Sequence, residues 1–359
     1  MRFGILGFPK SGKTTLFNLL TGAHAHTDKF VRSHGKANVG VVHVPEPRLP
    51  RLQEVFKAAK ATPVSLEYLD FPGLAKGEFA GLDLVEFHTM DAILHVVRAF
   101  EDPEIPHAEK SVDAARDIGL VELEMMLADL AVCEKRLQRL EKETMKNPSE
   151  ELHKEQVVLR RCHERLSAQE PLRELELPSD EEPVLRGFAF LSRKPILHAV
   201  NLGDAAAPKV GDPAAAIGLT APPGPGTALV GVCAKLEAEI SELDAGDAAL
   251  FRQDAGLPDA AVDRIVRASY KLLRTLTFFT GNEKEVRAWT VPGGATAVQA
   301  AGRVHTDMER GFIRAEVVPY DALDRAGSWH HLREGAALGV HGKEYVVKEG
   351  DVILFRFHV

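Results

Sequence analysis

Apolar positions follow two different periods along this chain. In the first hundred residues, short apolar runs at 3–6, 39–44, 65–70 and 92–98 alternate with helical segments such as Thr15-Leu16-Phe17-Asn18-Leu19-Leu20. This alternation predicts an α/β doubly wound sheet. From Leu120 the spacing changes to threes and fours, with Leu123, Met126, Leu130, Cys133, Leu137 and Leu140 forming a heptad seam between charged residues. Asn147-Pro148-Ser149 breaks the seam, and Leu152, Leu159, Cys162 and Leu166 mark a second helix. The pair reads as an antiparallel helical hairpin, an inserted arm; two ordinary globular helices are the alternative.

Beyond the arm, apolar runs at 194–201 and 228–233 return the chain to the sheet. Between them, 205–226 is rich in Ala, Pro and Gly and reads as a surface loop. A helix is expected over 258–274. Strand-like runs at 285–291 and 345–347 then indicate a small α+β module. The predicted division is residues 1–119 with 190–277 as the sheet domain, 120–189 as the arm, and 278–359 as the C-terminal module.

The turn after the first strand carries chemistry. Gly7-Phe8-Pro9-Lys10-Ser11-Gly12-Lys13-Thr14 fits G-x-x-x-x-G-K-[ST], and Thr15 continues into the helix. This is the context of a phosphate-binding loop. Backbone N–H groups of such a loop, with the positive end of the helix, cradle the phosphates of a nucleotide. Lys13 is expected to reach the β- and γ-phosphates and Thr14 to ligate Mg²⁺. A glycine-rich turn that binds nothing is the alternative, which the strand-loop-helix order disfavours.

Bulk properties narrow the classes. At 359 residues the chain exceeds the usual size of one core, and 45% hydrophobic with 27% charged residues is ordinary for a globular protein. No run of ~18 apolar residues occurs, nor a secretory leader pattern, so a cytoplasmic protein without membrane attachment is expected. A net charge of −8 argues against wholesale attraction to nucleic acid or anionic lipid. The local basic group Lys135, Arg136, Arg139 and Lys142 is interleaved with Glu134, Glu141 and Glu143, as on a solvated helix face. Three scattered cysteines, Cys133, Cys162 and Cys233, form no C-x-x-C pair. His24, His26, His34 and His43 read as solvated loop residues rather than a metal site.

A phosphate loop alone does not separate kinases, transporters and GTPases. Asp70-Phe71-Pro72-Gly73 ends a strand and fits D-x-x-G, with Asp70 expected to hold Mg²⁺ and Gly73 to meet the γ-phosphate. Asn201-Leu202-Gly203-Asp204 stands where a GTPase carries N-K-x-D, and Cys233-Ala234-Lys235 where it carries S-A-K. Each lies at a strand end, where α/β sheets bind ligands.

With these motifs in order, the chain resembles the YchF family of Obg-like ATPases, within the translation-factor-related P-loop NTPases. The resemblance extends through Val39-Gly40-Val41-Val42, Pro45-Glu46-Pro47-Arg48-Leu49, His95-Val96-Val97-Arg98 and the arm. It continues in Glu285-Val286-Arg287-Ala288-Trp289-Thr290, His305-Thr306-Asp307 and Gly311-Phe312-Ile313-Arg314-Ala315. It implies a P-loop NTPase domain, an inserted helical arm and a C-terminal TGS-like β-grasp domain. It also implies hydrolysis of ATP in preference to GTP, and association with the ribosome through its large subunit, with RNA as a further partner. Where Ras-like enzymes place a glutamine, this chain has Leu74, and the family resemblance shifts the water-orienting role to His107. A solvated loop histidine is the alternative.

Departures from the family pattern mark this chain. Lys10 stands where the family has an Asn associated with an activating K⁺, so an ammonium group substitutes for the ion in this reading. His34 aligns with the switch-I threonine, and the stretch 74–83 after D-x-x-G is altered, which leaves open either a slow enzyme or a nucleotide sensor of negligible turnover. Leu202 removes the lysine of a guanine site and favours ATP, whereas Asp204 keeps the length of a guanine-reading carboxylate and leaves GTP open.

Overall fold

The computed structural model describes residues 1–22, 38–71, 87, 89–107, 109–334 and 338–358. His24, His26, His34, Gly73, Leu74 and the stretch 74–83 lie outside them. The chain forms two compact units, residues 1–41 with 67–272 and residues 42–66 with 273–359.

The first unit is built on a six-stranded sheet in the order β2-β4-β1-β5-β6-β7. The strands are β1 (Arg2–Leu6), β2 (Asn38–His43), β4 (Ser65–Asp70), β5 (Ala92–Ala99), β6 (Ile196–Leu202) and β7 (Thr227–Val232). The β1–β4, β1–β5, β5–β6 and β6–β7 pairs are parallel. Helix α1 (Lys13–Thr21) follows β1 directly across the phosphate loop. Register brings the strand ends together: Ile5 pairs with Asp70, Leu6 with His95, Arg98 with Asn201, and Asn201 with Val232. The doubly wound α/β class is thus observed, and the motif residues sit at the carboxyl edge of one sheet.

The arm consists of α3 (Ala114–Lys146) and α4 (Glu150–Ser167). Asp113 and Ser149 cap them, accepting from Arg116 N–H and Leu152 N–H. This is the side-chain oxygen that orphan first-turn donors need. Met126, Cys133 and Leu140 of the expected seam pack against Leu159, Cys162 and Leu166. The first helix begins at Ala114, earlier than the heptad onset at Leu120, because its first turns pack Val121 and Met125 into the sheet core instead.

In the second unit β3 (Lys60–Thr62), β8 (Thr275–Gly281), β9 (Glu285–Pro292), β10 (Phe312–Pro319), β11 (Gly339–His341) and β12 (Asp351–Phe357) form a sheet ordered β11-β10-β12-β8-β9-β3. Phe278, Val291, Phe312, Ile353 and Phe355 pack on one face against Ala300 and Ala301 of the helix Ala297–Val304. Helix α2 (Arg48–Phe56) belongs here, its Arg48 guanidinium 4.8 Å from the Phe279 ring centre.

Three expectations differ from the structure. Residues 42–66, expected in the sheet domain, group with the C-terminal unit because β3 pairs in parallel with β9, Ala61 opposite Val286. Residues 345–347 are not a strand: Val346 makes a single bridge to Thr296, and Tyr345 turns to bond Asp351 through its hydroxyl. The stretch 205–226 includes short helical turns at Asp204–Lys209 and Pro213–Ala216, the latter capped by Asp212. The helix expected at 258–274 runs from Ala261 to Leu273.

Candidate nucleotide site

The loop from Gly7 to Gly12 requires glycine at both ends. Gly7 has φ +149° and a Cβ there would stand 2.4 Å from Val96 O; Gly12 has φ +96° and its Cβ would stand 2.3 Å from Asn201 Nδ2. No L side chain fits such backbone at such distances. Lys10 is also left-handed, φ 65°, and exposed, as is Pro9. Phe8 is buried in the core beside Leu6 and Phe71, anchoring the loop from below. Helix α1 starts at Lys13 with no acidic residue in its first turn, and its first N–H groups have no intrahelical acceptor.

Lys13 is 7% exposed and donates from Nζ to Gly7 O at 3.0 Å and Phe8 O at 2.7 Å. Burial pushes its ammonium down to about 8, partly offset by the Asp70 charge. Thr14 Oγ1 donates to Asp70 Oδ2 at 3.1 Å. Burial raises the Asp70 carboxyl, opposed by Lys13 and by the Thr14 hydroxyl. Two polar atoms, Ser11 Oγ and Asp70 Oδ1, are buried without a hydrogen-bond partner among the described residues. Leaving such atoms unpaired costs about 1–3 kcal/mol each, so both are open to a polar ligand or water. Hydroxyl and carboxylate oxygens are the donors a small hard cation takes, and Mg²⁺ needs few protein ligands beside phosphate. No cluster of three or more His, Cys, Asp or Glu side chains suited to a metal occurs among the described residues.

Asn201 is 4% exposed and ties two loops together: Nδ2 donates to Ser11 O at 3.1 Å, and Oδ1 accepts from Ala234 N–H at 3.0 Å. Its amide therefore braces the phosphate loop against the loop after β7. Leu202 packs into a core with Val200, Val210 and Cys233. Burial pushes the Cys233 thiol up to about 12, and its backbone N–H donates to Glu237 Oε1 at 3.0 Å. Asp204 and Lys235 are exposed, while Ala234 is buried.

His107 lies in the loop between β5 and α3. Its Nδ1 accepts from Glu109 N–H at 3.1 Å, and its Nε2 is 2.9 Å from Asp117 Oδ2 in the first turn of α3. Its side chain is 5% exposed, unlike a solvated loop histidine. Asp117 was not singled out in the sequence; an acidic residue in a capped first turn is common, and its partner is ten positions away across a loop.

A second polar cluster was also missed. His95 Nδ1 is 3.0 Å from His198 Nδ1, and His198 Nε2 is 3.5 Å from Glu122 Oε1 of α3. Arg173 donates from Nη1 and Nη2 to both Glu122 oxygens at 2.8–3.0 Å and from Nε to Lys194 O at 3.1 Å. Burial, with the neighbouring His198 and Lys13, drives His95 well below the ordinary histidine range.

Comparison with known proteins agrees with this arrangement. A family model described as a 50S ribosome-binding GTPase matches residues 2–128, and one named YchF-GTPase_C, described as a protein of unknown function, matches residues 275–358. The chain is 38% identical over 367 residues to the ribosome-binding ATPase YchF of Escherichia coli O157:H7, covering 99% of each protein. It is equally 38% identical over 363 residues to the protein of that name in Bacillus subtilis strain 168, again covering 99% of each. Among solved structures it is similar to the YchF GTPase of Schizosaccharomyces pombe, with 25% identity, a TM-score of 0.77, and coverage of 99% of this chain and 97% of that one.

Proposed function

The chain belongs to the YchF family of P-loop nucleoside triphosphatases, and from that membership and the site geometry we propose that it is a Mg²⁺-dependent switch that binds ATP in preference to GTP, cleaves the β–γ phosphoanhydride and works on the ribosome. The observation that carries the reading is the incomplete polar set around the phosphate loop: a buried ammonium and two buried oxygens without partners, beside free helix N–H groups. A triphosphate supplies the counter-charge for Lys13 and accepts from the loop. Thr14 and Asp70 would hold Mg²⁺, which supplies charge neutralisation at the phosphates when bound.

ATP is favoured because Leu202 lies in the core in place of the lysine of a guanine site, and because the bacterial relatives are named ATPases. Gly73 near the γ-phosphate, Cys233, Ala234 and Lys235 around the base, and His107 as the group that orients the attacking water complete the assignment. The arm and the C-terminal TGS-like unit are the surfaces offered to the large ribosomal subunit and its RNA, in the cytoplasm. No helix among the described residues is long and apolar enough to cross a membrane.

Slow turnover is a second reading with its own support, since both ring nitrogens of His107 face protein groups. Binding titrations with fluorescent ATP and GTP analogues, with and without Mg²⁺, followed by single-turnover hydrolysis with and without ribosomes, test both. Tight Mg²⁺-dependent ATP binding with cleavage is expected. Equal weak binding of both nucleotides would reject the proposal, and tight binding without cleavage would leave the sensor.

A further inference from the structure

We propose that Asp117 is the positioning residue that fixes His107 in the tautomer protonated at Nε2, so that Nδ1 is the atom that takes a hydrogen bond from the attacking water. This inference rests on the assignment of His107 to the reaction. The geometry specifies each atom. Arg116 donates from Nε at 3.0 Å and Nη2 at 2.8 Å to Asp117 Oδ1, leaving Oδ2 buried 2.9 Å from His107 Nε2, a charge contact in which Oδ2 has no aligned hydrogen bond among the described residues. An unprotonated nitrogen at that distance would set its lone pair against those of the carboxylate, so Asp117 favours the proton at Nε2. On the other side of the ring, Nδ1 accepts from Glu109 N–H, which requires that nitrogen to be unprotonated. The Glu109 N–H bond requires this tautomer, and the Asp117 charge 2.9 Å away favours it. Asp117 is 2% exposed and His107 5% exposed, so water does not compete for either contact. An acid that holds an imidazole in one tautomer and orientation, without itself taking the proton, is the role of the aspartate in a Ser-His-Asp triad.

The same contacts describe a resting state. The Nδ1 lone pair that a water would use is taken by Glu109 N–H, so turnover requires that one backbone hydrogen bond to open while the Asp117 contact persists. The chemical step itself is unchanged: water oxygen bonds to the γ-phosphorus, the β–γ bridging oxygen departs with its electron pair on the nucleoside diphosphate, and the water proton oriented by Nδ1 passes to a γ-phosphoryl oxygen, giving inorganic phosphate and leaving the ring neutral.

The test uses the full-length protein with ¹⁵N-labelled histidine. Long-range ¹H–¹⁵N spectra of the parent are expected to show His107 protonated at Nε2 only, with Asp117→Asn shifting it to a tautomer mixture. Single-turnover hydrolysis of ATP by Asp117→Asn is expected to be at least about tenfold slower with KM within about threefold, since a general acid–base contact contributes 10²–10⁴. His107→Ala and the double variant His107→Ala, Asp117→Asn should then be equally slow. An Nδ1-protonated ring in the parent overturns the proposal, and that measurement needs no variant to fold. A slow His107→Ala with an unimpaired Asp117→Asn overturns this inference alone, as does a double variant slower than His107→Ala. A His107→Ala as fast as the parent overturns the catalytic assignment of His107 instead.

Discussion

At the root of the arm, Glu122 and Asp129 are buried with their partners in place; at the phosphate loop, Ser11 Oγ and Asp70 Oδ1 are buried without them. Arg173 closes both oxygens of Glu122, and Asp129 accepts from Leu191 N–H at 2.8 Å, Ser192 N–H at 2.7 Å and the Ser192 hydroxyl. Burial pushes Glu122 up, but the bonds from His198 and Arg173 outweigh it and hold the carboxyl below its ordinary range. Around Lys13 the balance runs the other way, and burial depresses the ammonium. Closure in one cluster and incomplete hydrogen bonding in the other separate a group that holds the fold from one left open to a ligand. A buried pair contributes little net stability over an apolar replacement, yet breaking it is costly.

The largest expected effect breaks the closed cluster. Arg173→Met should lower unfolding free energy by about 3–5 kcal/mol, because Glu122 is left buried with only His198 beside it. Urea denaturation checks it, and a loss under about 1 kcal/mol would show the cluster to be hydrated. At the open cluster, Lys13→Ala should weaken ATP-analogue binding by about 1.5–3 kcal/mol, the range of a hydrogen bond to a charged group, while leaving the denaturation midpoint unchanged or higher. Equal affinity in variant and parent would remove the phosphate-loop assignment.

A third experiment sharpens how complete the closure is. Burial pushes the Asp129 carboxyl up to about 6, against the pull of its three donors, from an ordinary 3.8. Between those values the native state binds more protons than the unfolded state, so this group's contribution to stability falls as pH rises from about 4 to about 6 and then levels. The slope is at most about 1.4 kcal/mol per pH unit. Urea midpoints should show the parent's advantage over Asp129→Asn shrinking across that window; an advantage that grows with pH would mean the three donors dominate. The smallest effect lies outside both clusters. Asp204 is exposed, and Asp204→Ala should leave ATP affinity within about threefold, under ~0.7 kcal/mol. Loss of a strong GTP preference in that variant would instead make Asp204 a guanine reader.

The contrast also explains what the sequence made legible. Gly7, Gly12, Lys13 and Thr14 form one contiguous motif whose backbone demands are local, and Asp70 and Asn201 were found because strand ends are recognisable from apolar runs. What Asn201 does was not legible: its bonds to Ser11 and Ala234 join residues 190 and 33 positions away. Arg173 and Glu122, 51 positions apart, are ordinary charged residues until the arm closes between them. The placement of residues 42–66 failed for the same reason, since a three-residue strand has too little pattern to announce a partner more than two hundred positions later. Helix periodicity, in contrast, is repeated every turn, and the arm was read to within a few residues at its break.

Helix α3 runs unbroken for 33 residues, from beside His107 to the turn at Asn147. Glu122 and Asp129 clamp it to the sheet side at two points, so its root cannot tilt about either one alone. At 1.5 Å per residue the stretch beyond Asp129 extends about 26 Å to Lys146 as a cantilever, whereas Asp117 lies on the clamped side. A load on the far end of the arm is therefore borne by the bonds from Arg173, Leu191 and Ser192 before it reaches the His107 loop.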